Sequence, residues 1–243
     1  MLATIRANPV TQALNVTTIA AMLKGFRFRV CDTDDDAARC LALRRRVYLE
    51  EKGLSVDVPD AYDLRSWTLI AEDAETGEAV GSMRLTPRSE GPLEAEESFR
   101  LPSVLRGPES VEVSRFAIIP EYRRAQLRTP SISLGLFKLV VRFAMDVGKM
   151  TRLVVCSKAE RVHTYTWLRF QQTGVTAPYV PFGGDPHEIL FLDLRHGLEP
   201  YRGQELVEYF LGDDTPEVVI PAAPPALGIG AMSMQPASFQ IAL

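Results

Sequence analysis

Cysteine and histidine are scarce in this chain: 243 residues hold three of each, Cys31, Cys40, Cys156 and His163, His187, His196. No two of them stand at metal-ligand spacing, and no histidine has a zinc-type carboxylate set nearby, so no metal centre and no tightly bound cofactor are expected. The few thiols, and a start without a signal peptide pattern, fit a reducing cytoplasm. Gly-x-Ser-x-Gly is missing, which removes the nucleophile motif of a serine hydrolase. Val10 to Lys24 reads as a mildly amphipathic helix, too short and too polar to be a transmembrane segment. A net charge of only -4 gives no reason to expect nucleic acid as a partner.

The residues that are present describe a globular protein, with 46% hydrophobic and 24% charged side chains. Residues 1–25 read as a helical arm or lid and 26–212 as one domain. Residues 213–243, broken by Pro216, Pro221, Pro224, Pro225 and Pro236, read as a tail that is flexible or draped over the domain. Helices and strands alternate: a strand at Phe26 to Cys31, then a helix from Asp34 to Lys52 capped by Gly53. Strands follow at Thr68 to Glu72, Ala79 to Thr86 and Val111 to Ile119. A helix capped by Thr129 and opened by Pro130 runs to Val147 and is apolar nearly all round, so it must be buried on more than one side. A strand at Arg152 to Cys156, a helix at Glu160 to Gln172 and a strand at Ile189 to Leu194 complete an α/β (α+β) pattern, a mixed sheet with helices on both faces.

Charge inside apolar segments locates the function. Glu112 and Arg115 interrupt the run Val111 to Ile119, where an unpaired charge would be expensive to bury. Three residues apart, they face opposite sides of a regular strand; either they serve different partners, or a bulge turns one of them. Arg84 shares a strand face with Val80 and Ser82, and Arg44 lies beside the helical stripe Ala37, Cys40, Leu43 and Val47. Three buried arginines with several carboxylates exceed what packing asks of a core, and a polar cleft is expected.

These residues also form an ordered pattern. Arg44 stands four residues before Tyr48, Asp60 and Asp63 follow, and Gly81 to Leu85 reads Gly-Ser-Met-Arg-Leu. Phe99 comes next, and Glu112 to Phe116 reads Glu-Val-Ser-Arg-Phe. Over residues 39–125 this resembles the acyl-homoserine lactone synthases and the related N-acyl amino acid synthases of the GNAT acyltransferase superfamily. Leu54 stands where the lactone synthases usually carry a Trp that shapes the S-adenosylmethionine pocket, and Tyr48 is an aromatic common among the amino acid N-acylating relatives.

The resemblance implies a GNAT-like, mostly antiparallel sheet and transfer of a fatty acyl group from acyl carrier protein, or acyl-CoA, to the amine of an amino acid. Lactone synthesis, a quorum-sensing reaction, is the alternative; a non-catalytic carrier-binding module and an acetyltransferase of a small amine are the others. Glu112 is then the expected base, acting through a water, with Arg84 and Arg115 beside it. Backbone amides near Phe116 and Ala117 face the thioester oxygen. Arg44, Tyr48, Asp60, Asp63, Phe99, Ser114 and Phe116 line the substrate site. Residues 120–170 carry ten basic side chains against three acidic ones. Among them Arg123, Arg124, Arg128, Lys149, Arg152, Lys158 and Arg161 are the expected face for an acidic carrier protein. The loop Arg123 to Pro130 holds no glycine, unlike the usual coenzyme A pyrophosphate loop of the superfamily.

Overall fold

A computed structural model describes residues 16–124, 128–213 and 215–229. Eight strands form one sheet in the order β6-β7-β5-β4-β3-β2-β1-β8. In chain order they are β1 Phe26–Val30, β2 Trp67–Asp73, β3 Ala79–Pro87, β4 Ser110–Ile118, β5 Arg152–Lys158, β6 Gln171–Pro178, β7 Pro186–Asp193 and β8 Val218–Val219. All neighbours are antiparallel except β4 with β5 and β1 with β8.

Helices cover both faces. On one lie α1 (Val16–Leu23), α4 (Arg128–Arg142, prolonged by a π turn at Phe143–Val147) and α6 (Glu205–Leu211). Helix α4 sits between the sheet and the other two, which accounts for its all-round apolar surface: Ile132, Leu136, Leu139, Val140 and Phe143 are all fully buried. It approaches the sheet closely at Gly135, where an added Cβ would lie 2.2 Å from the Phe28 ring. On the other face lies α2 (Asp34–Arg45, prolonged by a π turn at Arg46–Glu51); Thr33 caps it by accepting from the Asp36 amide at 3.2 Å. Gly53 then ends it in the left-handed region, φ 62°. Between β3 and β4 a long excursion, turning at Arg88–Glu90, Glu94–Glu97 and Ser103–Arg106, builds a second apolar cluster from Leu93, Phe99, Leu101 and Leu105 with Val154, Tyr179 and Ile189.

Several boundaries differ from the sequence reading. The helix expected over Glu160 to Gln172 is only α5, Val162–Trp167, and Gln171–Pro178 is strand β6, because Gln171 and Gln172 pair with Phe191 and Leu190 of the neighbouring strand. Helix α4 starts at Arg128, ahead of the expected Thr129 cap, and a short helix α3, Pro120–Arg124, precedes it. From Asp213 the chain is draped over the domain as far as it is described. Val218 and Val219 pair with β1, the Trp67 indole donates to the Pro225 carbonyl at 2.9 Å, and buried Lys138 donates to Thr215 Oγ1 at 2.7 Å. Residues 1–15 of the arm, the 125–127 stretch of the glycine-free loop and the end Phe239 to Leu243 lie outside the described residues. The described part of the arm, α1, packs on α4 and α6, the face away from Arg84. No helix among the described residues is long and apolar enough to cross a membrane.

Candidate active site

The site begins at a parting of strands. Parallel β4 and β5 pair only over Ser110–Arg152, Val111–Leu153 and Glu112–Val154, then diverge although β4 continues to Ile118 and β5 to Lys158. Glu112 is the last residue of β4 that pairs with β5 and is fully buried. On the other side of β4 the pairing with β3 runs regularly to Arg84–Ser114 and resumes at Ser82–Ala117, so Arg115 and Phe116 fall in a bulge. Arg115 adopts φ 53°, a left-handed conformation that costs a non-glycine residue about 1 to 3 kcal/mol. The bulge is the alternative that the three-residue spacing had left open: it turns Arg115 to the same side as Glu112 and Arg84.

That side holds a buried charge cluster. Arg44 meets Asp63 in a two-pronged pair at 2.7 and 2.8 Å, with the two side chains 0% and 3% exposed. Arg84 donates to Asp60 at 2.6 Å, to Glu94 at 2.5 Å and, through Nε, to Ser114 Oγ at 3.1 Å. Arg115 donates to Asp60 at 2.7 Å and to Glu94 at 2.6 Å. The cluster is closed from below by Asp60, whose Oδ1 also accepts the amides of Tyr62 and Asp63. Burial works to raise both aspartates, but Arg44, Arg84 and Arg115 outweigh it and hold Asp60 and Asp63 below the usual carboxylate range.

Glu112 behaves differently from the other carboxylates. Its Oε2 accepts the Ala95 amide at 3.1 Å, whereas Oε1 is buried without a partner. Burial, and then the neighbouring Glu94 carboxylate, push its pKa up to about 7. Burial likewise pushes Tyr48 up to about 12, so its hydroxyl stays protonated and donates to the Phe116 carbonyl at 3.0 Å. The diverging strands are lined by aromatics: Phe116 packs on Phe137, which meets Tyr165 and Phe170, while Phe182 stacks on Tyr179 and touches Tyr48 edge-on.

The structure thus gathers Arg44, Asp60, Asp63, Arg84, Glu112, Ser114 and Arg115 into one cluster, with Tyr48 and Phe116 joined beside it. Phe99 stands further off, buried in the second apolar cluster with its ring 5.8 Å from Tyr179. The basic residues divide. Burial lowers the proton affinity of Lys52, and Arg123, Lys158 and Arg161, by the end of β5 where the strands have parted, are near enough to lower it further, with Arg123 paired to Glu51 and Lys158 to Asp185. Lys149 and Arg152 lie at the opposite end of that strand, Arg152 pairing with Glu109 and Lys149 donating to the Asp146 carbonyl. The side chains of Arg124 and Arg128 lie outside the described residues. A further set of charges, half-buried Arg29 and Arg39 with buried Asp36 and Glu72, belongs to the packing of α2 on β1 and β2, away from this cluster.

Sequence reading missed Glu94, which joins Arg84 to Arg115, and Lys52 among the cations. Glu94 falls in the run Glu94-Ala95-Glu96-Glu97, whose composition is that of a solvated turn; nothing local marks one of its three acids as buried.

A family model described as N-acyl amino acid synthase FeeM matches residues 39–193. No curated protein matches the sequence. Among solved structures, FeeM, an N-acyl amino acid synthase from uncultured soil microbes, is 18% identical over 72% of this chain and 93% of its own, with a TM-score of 0.57. BjaI, a CoA-dependent acyl-homoserine lactone synthase solved with SAM and isopentyl-CoA, is 20% identical over 86% and 99%, with a TM-score of 0.59. A putative N-acetyltransferase from Lactobacillus plantarum is 17% identical over 70% and 99%, with a TM-score of 0.51. At these identities the likeness is one of fold.

Proposed function

The chain belongs to the N-acyl amino acid synthase family represented by FeeM and is an N-acyltransferase with the GNAT fold; from that premise we propose that it moves a fatty acyl group from a carrier-protein thioester to the amine of an amino acid. One observation carries the reading: a buried carboxyl group, Glu112, stands where β4 and β5 part, with one oxygen free and a proton affinity matched to neutral pH. An ammonium cannot attack a thioester, so the acceptor must lose a proton, and a base is most effective when its pKa lies near the working pH. Glu112 Oε1 takes that proton, directly or through one water. The amine nitrogen then bonds to the thioester carbon, and amides of the bulged strand at Phe116 and Ala117 stabilise the charge on the carbonyl oxygen. When the tetrahedral intermediate collapses, the carbon–sulfur bond breaks and the thiol leaves with a proton.

The Arg44, Arg84, Arg115, Asp60 and Asp63 network holds the floor of the acceptor site in one geometry, and Tyr48 ties α2 to the bulge. The aromatic wall from Phe116 to Phe170 takes the start of the acyl chain. Lys52, Arg123, Lys158 and Arg161, by the end of β5 beyond the parting of the strands, face the acidic carrier. Leu54 in place of Trp favours an amino acid over S-adenosylmethionine as acceptor.

The test is mass spectrometry of reactions containing purified protein, acyl carrier protein thioesters or acyl-CoA, and either an amino acid pool or S-adenosylmethionine. Acyl amino acids formed by the wild type and not by Glu112→Gln support the proposal. Acyl-homoserine lactones would replace the acceptor, product from acyl-CoA alone would replace the donor, and full turnover by Glu112→Gln would remove the base.

A further inference from the structure

Glu112 can act as a base only while the guanidinium groups around it are engaged elsewhere. Arg84 and Arg115 are both near enough to lower its proton affinity electrostatically, and a two-pronged pair with either would bury its lone pairs and make it a poor proton acceptor. Neither donates to it. Each is turned away: Arg84 Nη2 to Glu94 Oε2 at 2.5 Å, and Arg115 Nη2 to Glu94 Oε1 at 2.6 Å. Both arginines and Glu94 are at most 5% exposed, so water does not compete for them. The next residue, Ala95, points its amide at Glu112 Oε2 at 3.1 Å. A single dipeptide therefore holds one nitrogen of each arginine and orients the carboxyl group that they would otherwise approach.

Resting on the reading of Glu112 as the base, we propose that Glu94 is a positioning residue that keeps Arg84 and Arg115 off Glu112 and so leaves Oε1 unpaired to take the acceptor's proton. The remaining groups that face Glu112 do not supply this. Cys156 on β5 and Tyr179 after β6 are both pushed upward by burial and stay protonated, and neither pairs with a guanidinium. Asp60 also binds both arginines, Arg84 through Nη1 and Arg115 through Nε and through the same Nη2 that donates to Glu94, which leaves Glu94 as the sole acceptor for Arg84 Nη2; Arg115 Nη1 is buried without a partner. Loss of the Glu94 charge has two effects of the same sign. A like charge beside Glu112 disappears, and two guanidinium groups lose a partner and turn to Glu112, which lowers its proton affinity and blocks it.

The experiment compares wild type, Glu94→Gln, Glu94→Asp and Glu112→Gln, each checked for folding by circular dichroism. Activity of the wild type rises with pH as Glu112 loses its proton. In Glu94→Gln the acidic limb of kcat/KM moves down by about one pH unit or more and kcat at pH 8 falls by at least about tenfold, while Glu94→Asp restores the position of the limb. A folded Glu94→Gln protein with the limb unmoved overturns the proposal. A limb that survives in Glu112→Gln instead overturns the assignment of the base, so the two failures are told apart. Carbon-13 NMR titration of the wild-type glutamate carboxyl groups, assigned with these variants, gives a readout independent of turnover and of whether Glu94→Gln folds. The proton taken up near neutrality must reside on Glu112; finding it on Glu94 overturns the proposal.

Discussion

Replacing Glu112 by Gln separates the needs of chemistry from those of folding. Gln has the shape of the protonated acid, and its oxygen still accepts the Ala95 amide, so the change removes little except the ability to ionise. In the unfolded chain Glu112 titrates near 4.5, and in the fully buried site near 7. A raised carboxyl pKa means that the folded state holds the proton more tightly, so this group's contribution to stability is full below 4.5 and is lost as the pH rises through the window from 4.5 to 7. At about 1.4 kcal/mol per pKa unit, the ionised group costs the wild type about 3 kcal/mol at pH 8 and under about 1 kcal/mol at pH 5. Glu112→Gln escapes that cost. Urea unfolding at the two pH values should therefore show the variant more stable by about 3 kcal/mol at pH 8, with most of the gain gone at pH 5. Turnover should fall by about two to four orders of magnitude, the usual worth of a general base. A variant no more stable than wild type at pH 8, or equally stabilised at both pH values, would refute the argument that this carboxyl group is held against its ordinary ionisation.

Arg44→Ala should cost about 3 to 5 kcal/mol in urea unfolding, because Asp63 then stays buried with the Asp60 amide and only the longer contact from Arg84 as a charged partner, and adding Asp63→Asn should recover part of the loss. Gly135→Ala should destabilise the protein by about 1 to 3 kcal/mol despite the better helix propensity of alanine, since its Cβ meets the Phe28 ring at 2.2 Å; calorimetry checks the sign. Ending the chain at Gly212 should lower the melting temperature, because Lys138 loses Thr215, β1 loses its parallel neighbour and Trp67 loses the Pro225 carbonyl. Arg161→Glu should raise KM for a carrier-linked donor about tenfold at low salt and much less at high salt, with the KM of the amine unchanged, whereas Arg152→Glu at the other end of β5 should leave both unchanged.

By itself the sequence determined the kinds of element and the chemistry of the cluster. Local signals suffice where one segment decides its own structure: Asp34 to Asp36 and Gly53 bracket α2, apolar segments either side of the Glu75-Thr76-Gly77 turn mark β2 and β3, and the apolar girth of α4 requires cover on two sides. Charge in an apolar strand was equally legible, because an arginine or glutamate at such a position must find a partner, and Arg44, Arg84, Glu112 and Arg115 all lie in the cluster. The identity of the partners was another matter. Glu94 looks like the other acids of its run until the excursion between β3 and β4 folds over the sheet and encloses it. Gln171 to Pro178 is a strand because β7 offers an edge, and Val218 with Val219 is a strand because β1 does. Only the tertiary structure placed the parting of β4 and β5 directly after Glu112 and turned Arg115 through a bulge to the same side. Those choices rest on pairing and burial between segments far apart in the chain, and no periodicity within one segment encodes them.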